Sequence, residues 1–559
     1  MNDIRRTILW AAFAFSLVLL WDQWQLHNGK PATFFPAPVK TQETANNKPV
    51  GKPTEPAKTN DVPSTNLSVA GEVPPQNGPS NLGERRKVEV ETDLLKLSFD
   101  TEGASLVKTE LLKYSDAEKP SQSVVLLDQS NARLYLSQSG LISGQGPLPT
   151  HKSPFKWQTG STQLKEGEND ISVRFVSEPI NQVQLIKTYK IERQSYAMQV
   201  EHEVVNQGNA PITPQLYVQL LRDGNPPPGE SSFYSTFTGP AIYTPAQKYQ
   251  KVEFSEIEKN KANFEKKAEQ GYVAMVQHYF ATAWILPNDM AREFFARKVD
   301  NNLYAVGMIA SLKEIAPGHS QKINAQFYVG PQEEKKLEAL YPGLELVKDY
   351  GWLTILAKPL YWLLDNLNDL LHNWGWSIVA LVMLLKIAFY WLNAQAYRSM
   401  AKMKAINPKV MEMRERLKDS PQQMQMEMMK IYREEKVNPL GGCFPIAIQI
   451  PVFIALYWVL LSTVEMRNAP WVLWVHDLSA KDPLYILPLL MTATTMLQTW
   501  LNPTPPDPVQ AKLMWIMPLA FSVMFFVFPA GLVLYWLTNN ILSIAQQWLI
   551  NKQMGVLGK

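Results

Sequence analysis

Hydrophobic positions along this chain follow three patterns in succession. From Thr7 to Trp24 they form one continuous run (TILWAAFAFSLVLLWDQW) behind Arg5 and Arg6. From Val88 onward the apolar period becomes two: Val88 and Val90; Leu95, Leu97 and Phe99; Ile171, Val173 and Phe175; Val183 and Leu185; Tyr196, Met198 and Val200; Ile323, Ala325, Phe327 and Val329. Alternation of this kind predicts half-buried strands, and turn signals at Gly208-Asn209 and Pro226 to Gly229 punctuate it. The segment 86–342 is therefore expected to be an all-β domain, a sandwich of antiparallel sheets, whose alternate Tyr and Phe are read as core rather than as a ligand site.

After Pro342-Gly343 the period becomes 3.6. Leu356, Leu360, Leu363, Leu364, Leu367, Leu370 and Leu371 share one helical face, with Asp365, Asn366, Asn368 and Asp369 opposite. Such a helix within 343–375 suits the plane of a membrane interface, with Trp352, Trp362 and Trp374 at headgroup level; the plainer alternative is a helix packed only on the β domain. Five apolar stretches follow: Trp376 to Leu392, Phe444 to Val464, Leu484 to Leu501, Leu513 to Phe528 and Leu532 to Ile550. Pro529-Ala530-Gly531 predicts a tight turn between the last two, which together far exceed one crossing. With the first run, six transmembrane helices are expected.

The first of the five stretches holds Lys386 near its middle (WSIVALVMLLKIAFYWL). A lysine at that depth costs about 2.5 to 3.5 kcal/mol, and the surrounding Leu, Ile, Val and Phe return about 3 to 5. Insertion is favourable by a narrow margin. The nearest polar neighbour, Asn393, is roughly 10 Å of helix rise away, which favours a wet cavity among helices over snorkelling. Other uncharged polar residues interrupt the apolar stretches: Gln449, Thr492, Thr494, Thr495, Gln498, Thr538, Asn539, Asn540, Gln546 and Gln547. Singly each suits helix-to-helix hydrogen bonding; together with Lys386 they could line a hydrated groove.

Charge orients the chain. The formal net charge of +3 averages two unlike parts, a polar first half and an apolar second. Arginines before the first run hold that end in the cytoplasm, and an uncleaved anchor is expected at 1–27. Ten prolines between 28 and 82, among Thr, Asn, Lys and Ala, predict a disordered linker over 28–85. The segment Arg398 to Lys436 carries ten Lys and Arg against six acids and is placed in the cytoplasm, whereas the slightly acidic loop Glu465 to Asp482 is placed outside. Six spans then return the tail 551–559 to the cytoplasm. Within 398–436, Met400, Met403, Ile406, Val410, Met413 and Leu417 recur at three or four, and Asp419-Ser420-Pro421 offers a cap before Met424, Met428, Ile431 and Tyr432. A helical hairpin with a methionine seam and a basic exterior is expected, suited to apolar ligands along the seam and to RNA or acidic headgroups outside it.

Catalytic chemistry finds no support. The single cysteine, Cys443, excludes an intrachain disulfide, and the seven histidines form no HExxH or i, i+4 pair. Neither a phosphate-binding G-x-x-x-x-G-K-[ST] loop nor a G-x-S-x-G elbow occurs, so no cofactor and no enzyme activity are expected.

Four stretches carry a resemblance: Glu435 to Pro445 (EKVNPLGGCFP), Gln449 to Phe453 (QIPVF), Trp474 to Ser479 (WVHDLS) with Asp482-Pro483, and Phe528 to Tyr535 (FPAGLVLY). They closely resemble the YidC family of membrane protein insertases, in its long Gram-negative form, over the whole chain. The resemblance implies an inner-membrane protein with a periplasmic β-supersandwich, a five-helix insertase core over 376–550, and a groove that passes apolar segments sideways into lipid. Implied partners are nascent membrane proteins, the Sec translocon, the ribosome and membrane lipids, with no DNA. The implied groove charge is Lys386 and the implied aromatic pair is Tyr535 and Trp536; Gln449 and Asn540, from the polar set above, are expected to line the groove with them. Lysine stands where the family commonly has arginine, Trp536 where tyrosine is usual, and Val382 where a threonine can occur. The competing reading is a secondary transporter or proton channel with Lys386 as its titrating group, but no intramembrane Asp or Glu and no internal repeat accompany it.

Overall fold

The computed structural model describes residues 86–555, apart from 117, 120, 159, 229–235, 418–419, 436–443 and 503–507, together with 62–63. The expected anchor at 1–27, nearly all of the linker 28–85, Cys443 and the last residues of the tail lie outside the described residues. The described chain divides into two compact units at Lys348 and Asp349.

The first unit is built from two nine-stranded antiparallel sheets. One runs, neighbour to neighbour, through Lys87–Glu91, Leu95–Asp100, Ser105–Ser115, Ser123–Gln129, Leu134–Ile142, Gln215–Asp223, Leu303–Ser311, Arg292–Asp300 and Lys267–Ala268. The other runs through Lys248–Lys251, Gly239–Thr244, Tyr272–Val276, Phe280–Ile285, Ser320–Pro331, Ala197–Asn206, Val183–Glu192, Asp170–Ser177 and Phe155–Gln158. The period-two pattern appears as alternate burial in Lys87–Glu91 and Asp170–Ser177. Gln215–Asp223, Tyr272–Val276 and Phe280–Ile285 are buried at nearly every position and carry no alternation, so pattern counting passes over them.

Side chains of the two sheets meet in a common interior. Phe99 packs on Tyr189 and Phe175, with ring centroids 4.7 and 5.6 Å away. The Tyr135 hydroxyl crosses to share a 2.6 Å hydrogen bond with Thr282. A buried polar cluster sits in the same layer. Lys187 and His202 are paired across neighbouring strands, and both are fully buried. Lys187 Nζ donates to the carbonyls of Gly103 (2.6 Å) and Ser139 (2.7 Å), while His202 Nε2 shares a 2.8 Å hydrogen bond with the Ser139 hydroxyl. Gly103 has φ of +72°, and a Cβ there would lie 2.1 Å from the His151 carbonyl oxygen, so the chain can present that acceptor only as glycine.

The second unit is helical: α1 (Thr354–Leu371), α2 (Trp374–Ala388), α3 (Tyr390–Arg416), α4 (Pro421–Glu434), α5 (Phe444–Ser462), α6 (Ile486–Leu501), α7 (Pro508–Met524) and α8 (Ala530–Gln553). The leucine face expected of α1 is divided. Ala357, Tyr361 and Leu364 are buried, and Leu360, Leu363 and Leu367 pack against the core. Ile355, Trp362, Leu370 and Leu371 remain exposed, because the apolar arc is wider than its neighbours cover. In the hairpin α3–α4, Ile406, Val410 and Met413 are buried as the seam requires, while Met411, Met426 and Met429 stand exposed outside it. Pro421 occupies the first turn of α4, where its missing N–H costs nothing.

Among the described residues, no single helix is long and apolar enough to cross a membrane. The continuous helix expected from Trp376 to Leu392 is instead the bent pair α2 and α3, which meet at 69°. A backbone hydrogen bond is kept on either side of the bend: Phe389 N donates to Leu385 O (2.9 Å) and Asn393 N to Phe389 O (3.0 Å). Gln449–Ser462, Ile486–Leu501 and Ala511–Met524 are shorter apolar helices. In α8 the polar residues Asn539, Asn540, Gln546 and Gln547 break the apolar run.

The loop before α6 ties the helices together at one end. Asp482, 2% exposed, accepts from Trp474 Nε1 (3.0 Å), Leu484 N (3.0 Å) and Leu487 N (2.7 Å), capping α6 and fixing the indole. The first free N–H groups of α8 find acceptors in the same loop, Ala530 N on Ala480 O (2.7 Å) and Gly531 N on Leu478 O (2.8 Å).

Two predictions follow from these buried groups. Burial lowers the Lys187 pKa to about 7 and, with Lys187 nearby, the His202 pKa to about 3. The unfolded chain therefore binds protons the folded chain does not, between about pH 7 and 10.5 at Lys187 and between about pH 3 and 6.5 at His202. Stability of the β domain should rise with pH through the upper window and fall as pH drops through the lower one. Lys187→Met should flatten the rise and His202→Gln the fall, read as urea midpoints by pulse proteolysis at pH 5, 7 and 9.5; unchanged slopes would refute the assignment. In the helical unit, Asp482→Ala should cost about 1 to 2 kcal/mol and lower the melting temperature of the detergent-solubilised protein. Asp482→Asn, which keeps the acceptor for Trp474 and Leu484 but turns an amide toward Leu487 N, should fall between the two, and wild-type stability of the alanine variant would contradict the capping role.

Candidate substrate groove

α8 is the element on which the polar residues of the helical unit converge. Asn539 and Asn540, Ser543, and Gln546 and Gln547 recur at three or four, a stripe spanning roughly 12 Å of helix rise. Each reaches a different neighbour. Gln449 Nε2 of α5 donates to Asn539 Oδ1 (3.2 Å), and Asn540 Nδ2 donates to Thr495 Oγ1 of α6 (2.9 Å). Lys386 Nζ of α2 donates to Ser543 Oγ (2.7 Å). Gln546 Nε2 donates to the Tyr390 carbonyl of α3 (3.2 Å), and Gln547 Nε2 to Asn502 Oδ1 beyond α6 (3.0 Å). In an apolar surrounding an unmet polar group is costly, so this pairing holds α8 in register against four helices.

Lys386 lies in the last turn of α2 and is half-buried. The bend after Ala388 thus moves the charge from the middle of a span to a helix C-terminus, where the partial negative charge of free carbonyls favours a cation. Among the described residues Lys386 has no carboxylate partner and hydrogen-bonds Ser543 alone. The side chains beside it on α2, Met383, Leu384 and Ile387, are exposed and apolar, so the charge borders an apolar outer face.

The first turns of α8 carry an aromatic cluster. Phe453 of α5 stacks on Trp536 at 4.5 Å and 7° and on Tyr535 at 5.9 Å and 27°, while Phe525 meets Trp536 edge-on at 4.4 Å. Tyr535 is buried in the helical core and Trp536 is half-buried. Val382 is buried one turn before Lys386. Of the five residues singled out from sequence, Lys386, Gln449 and Asn540 sit at successive levels of one stripe, and Tyr535 and Trp536 share the ring cluster above it.

Sequence reasoning passed over Ser543, Phe453 and Phe525. The three-to-four spacing of polar residues in α8 was the available signal for Ser543. Thr492 and Thr494 return their hydroxyls to carbonyls of their own helix, at Pro488 (2.8 Å) and Met491 (2.9 Å), so of the α6 threonines it is Thr495 that reaches α8. Among the described residues no cluster of His, Cys, Asp or Glu could hold a metal ion.

The comparisons with known proteins cover the same two units. Residues 87–363 match the YidC periplasmic domain family, and residues 366–556 match the 60Kd inner membrane protein family. The membrane protein insertase YidC of Cupriavidus taiwanensis is 52% identical over 557 residues, covering 99% of this chain and 98% of its own length. That of Janthinobacterium sp. strain Marseille is 50% identical over 572 residues, covering 99% of this chain and 100% of its own. A solved structure of an active YidC insertase with its first transmembrane domain resolved covers 82% of this chain and 91% of its own, at 18% identity and a TM-score of 0.39. From the full-length sequence matches and the two family matches together, the chain belongs to the YidC family of membrane protein insertases, multi-pass proteins of the inner membrane with a periplasmic domain.

Proposed function

We propose that the α8 stripe is the wall of a hydrated groove, through which this insertase passes apolar segments of newly made proteins sideways into the inner membrane. The observation that carries the reading is Lys386, a cation set among apolar helices, bound to one hydroxyl and bordered by an exposed apolar face. A client helix gains free energy on entering lipid, but its polar external flank must first cross roughly 30 Å of hydrocarbon. Asn539, Asn540, Gln449 and Thr495 supply amide and hydroxyl groups that can exchange their mutual hydrogen bonds for bonds to that flank. Lys386 holds an acidic flank transiently, and the apolar segment leaves past Met383, Leu384 and Ile387. The membrane potential favours export of negative flanks by about 2.3 kcal/mol per charge per 100 mV, so no nucleotide site is needed.

The same reading takes the chain as six spans with both termini in the cytoplasm and the groove lined by Lys386, Gln449, Tyr535, Trp536 and Asn540. α1 lies in the external interface, its exposed Ile355, Trp362 and Leu370 in lipid. The hairpin α3–α4 meets emerging chains and the ribosome on the cytoplasmic side, where its outer methionines and basic residues suit both. Clients arrive directly or with the Sec translocon, and the protein assists their folding. The β domain, with its sealed interior, is a periplasmic unit in the form of a supersandwich.

The test is reconstitution of the purified protein alone in liposomes, with a single-span client and protease protection as readout. Lys386→Arg should retain insertion. Lys386→Glu should lower it roughly tenfold, about 1.4 kcal/mol, for a client with an acidic external flank and much less for a neutral one. Equal activity of Lys386→Glu on both clients would remove the electrostatic role.

A further inference from the structure

We infer that Ser543 is a positioning residue for Lys386, holding its ammonium inward where α2 meets α8. The inference rests on the reading of Lys386 as the charge that engages client flanks.

The Ser543 hydroxyl has one proton to donate and two acceptor sites. Its proton is committed to its own helix, in a 2.7 Å bond to the Asn539 carbonyl. Both acceptor sites therefore remain for other donors. Lys386 Nζ takes one at 2.7 Å. The bond to the helix carbonyl thus fixes the polarity of the junction: Ser543 can only accept from Lys386, which is what a protonated ammonium requires. Ser543 is 3% exposed, so water does not compete readily for that position.

The lysine needs this more than an arginine would. An ammonium is a point charge on a flexible stem, without the planar fork that would fix its direction by itself. Beside Lys386 the apolar face with Met383 and Ile387 is exposed, and α2 ends two residues later, so a released side chain can swing toward the end of the helix and snorkel. Ser543 holds the charge on the groove side instead.

The experiment compares insertion of two single-span clients, with acidic and neutral external flanks, by full-length variants reconstituted at matched levels. Ser543→Ala should reduce the acidic-to-neutral preference roughly fivefold, about 1 kcal/mol, insertion of the acidic client falling further than that of the neutral one. Ser543→Thr, which keeps the hydroxyl, should restore the preference. In a Lys386→Ala background Ser543→Ala should have no further effect on the preference. If Ser543→Ala does not accumulate in the membrane, Ser543→Cys, with its weak acceptor, gives the same comparison. An equal loss for both clients, or an undiminished effect of Ser543→Ala without Lys386, would overturn the positioning role. Should Lys386→Ala itself leave the preference intact, the fault would lie in the reading of Lys386; should only the serine variant leave it intact, the fault would lie in this inference.

Discussion

The helical unit is organised by the need to place a cation among apolar helices without leaving it unmet. Lys386 has a single hydrogen-bond partner among the described residues, Ser543, and that serine is fixed by its own helix. The surrounding design follows from α8 carrying that partner. Its later turns bear the amides that meet α3, α5 and α6, its first turns bear the aromatic cluster with Phe453 and Phe525, and its first N–H groups are held by the loop that Asp482 fixes. Removing α8 from its register would strand donors in several helices at once. Such losses are expensive in an apolar medium, which makes the stripe a structural constraint as well as a wet surface.

Two lysines in this protein show how surroundings decide what a buried cation does. Lys187 is enclosed in the β domain by two carbonyls and lies 5.1 Å from the centre of the Phe155 ring, and burial brings its pKa down to about 7. Nothing from solution reaches it, and its work is to join the two sheets. Lys386 is only half-buried, ends a helix and is met by a hydroxyl rather than sealed by carbonyls. Only the second arrangement leaves donors for an incoming chain, because a partly met cation can exchange its partner at low cost whereas a fully met one cannot.

Much of the fold was legible in the residues, and the failures have identifiable causes. Strands with one buried face announced themselves through alternation, as at Ile171, Val173 and Phe175; strands buried throughout, such as Gln215–Asp223, did not. The apolar run around Lys386 reads as one helix because neither proline nor glycine interrupts it, yet the chain bends at Phe389. Lys386 stood out because a charge in an apolar run is rare. Ser543 did not, since a serine in a helix is unremarkable until its partner, 157 residues away in the chain, is brought beside it. The leucine face of α1 was visible as a face, but sequence could not say which part the neighbouring helices would cover.

The central claim is that the α8 stripe borders water reached from the cytoplasm rather than a dry seam between helices. Single cysteines at the half-buried Asn539, Gln449 and Gln546, introduced after replacing Cys443, can be probed in inverted inner-membrane vesicles with a membrane-impermeant maleimide. Cysteines at Leu519 and Leu384, on exposed apolar faces of α7 and α2, serve as references. The account predicts that the stripe positions react from the cytoplasmic side while the reference positions do not. Protection of all three stripe positions, with labelling appearing only after detergent is added, would contradict it.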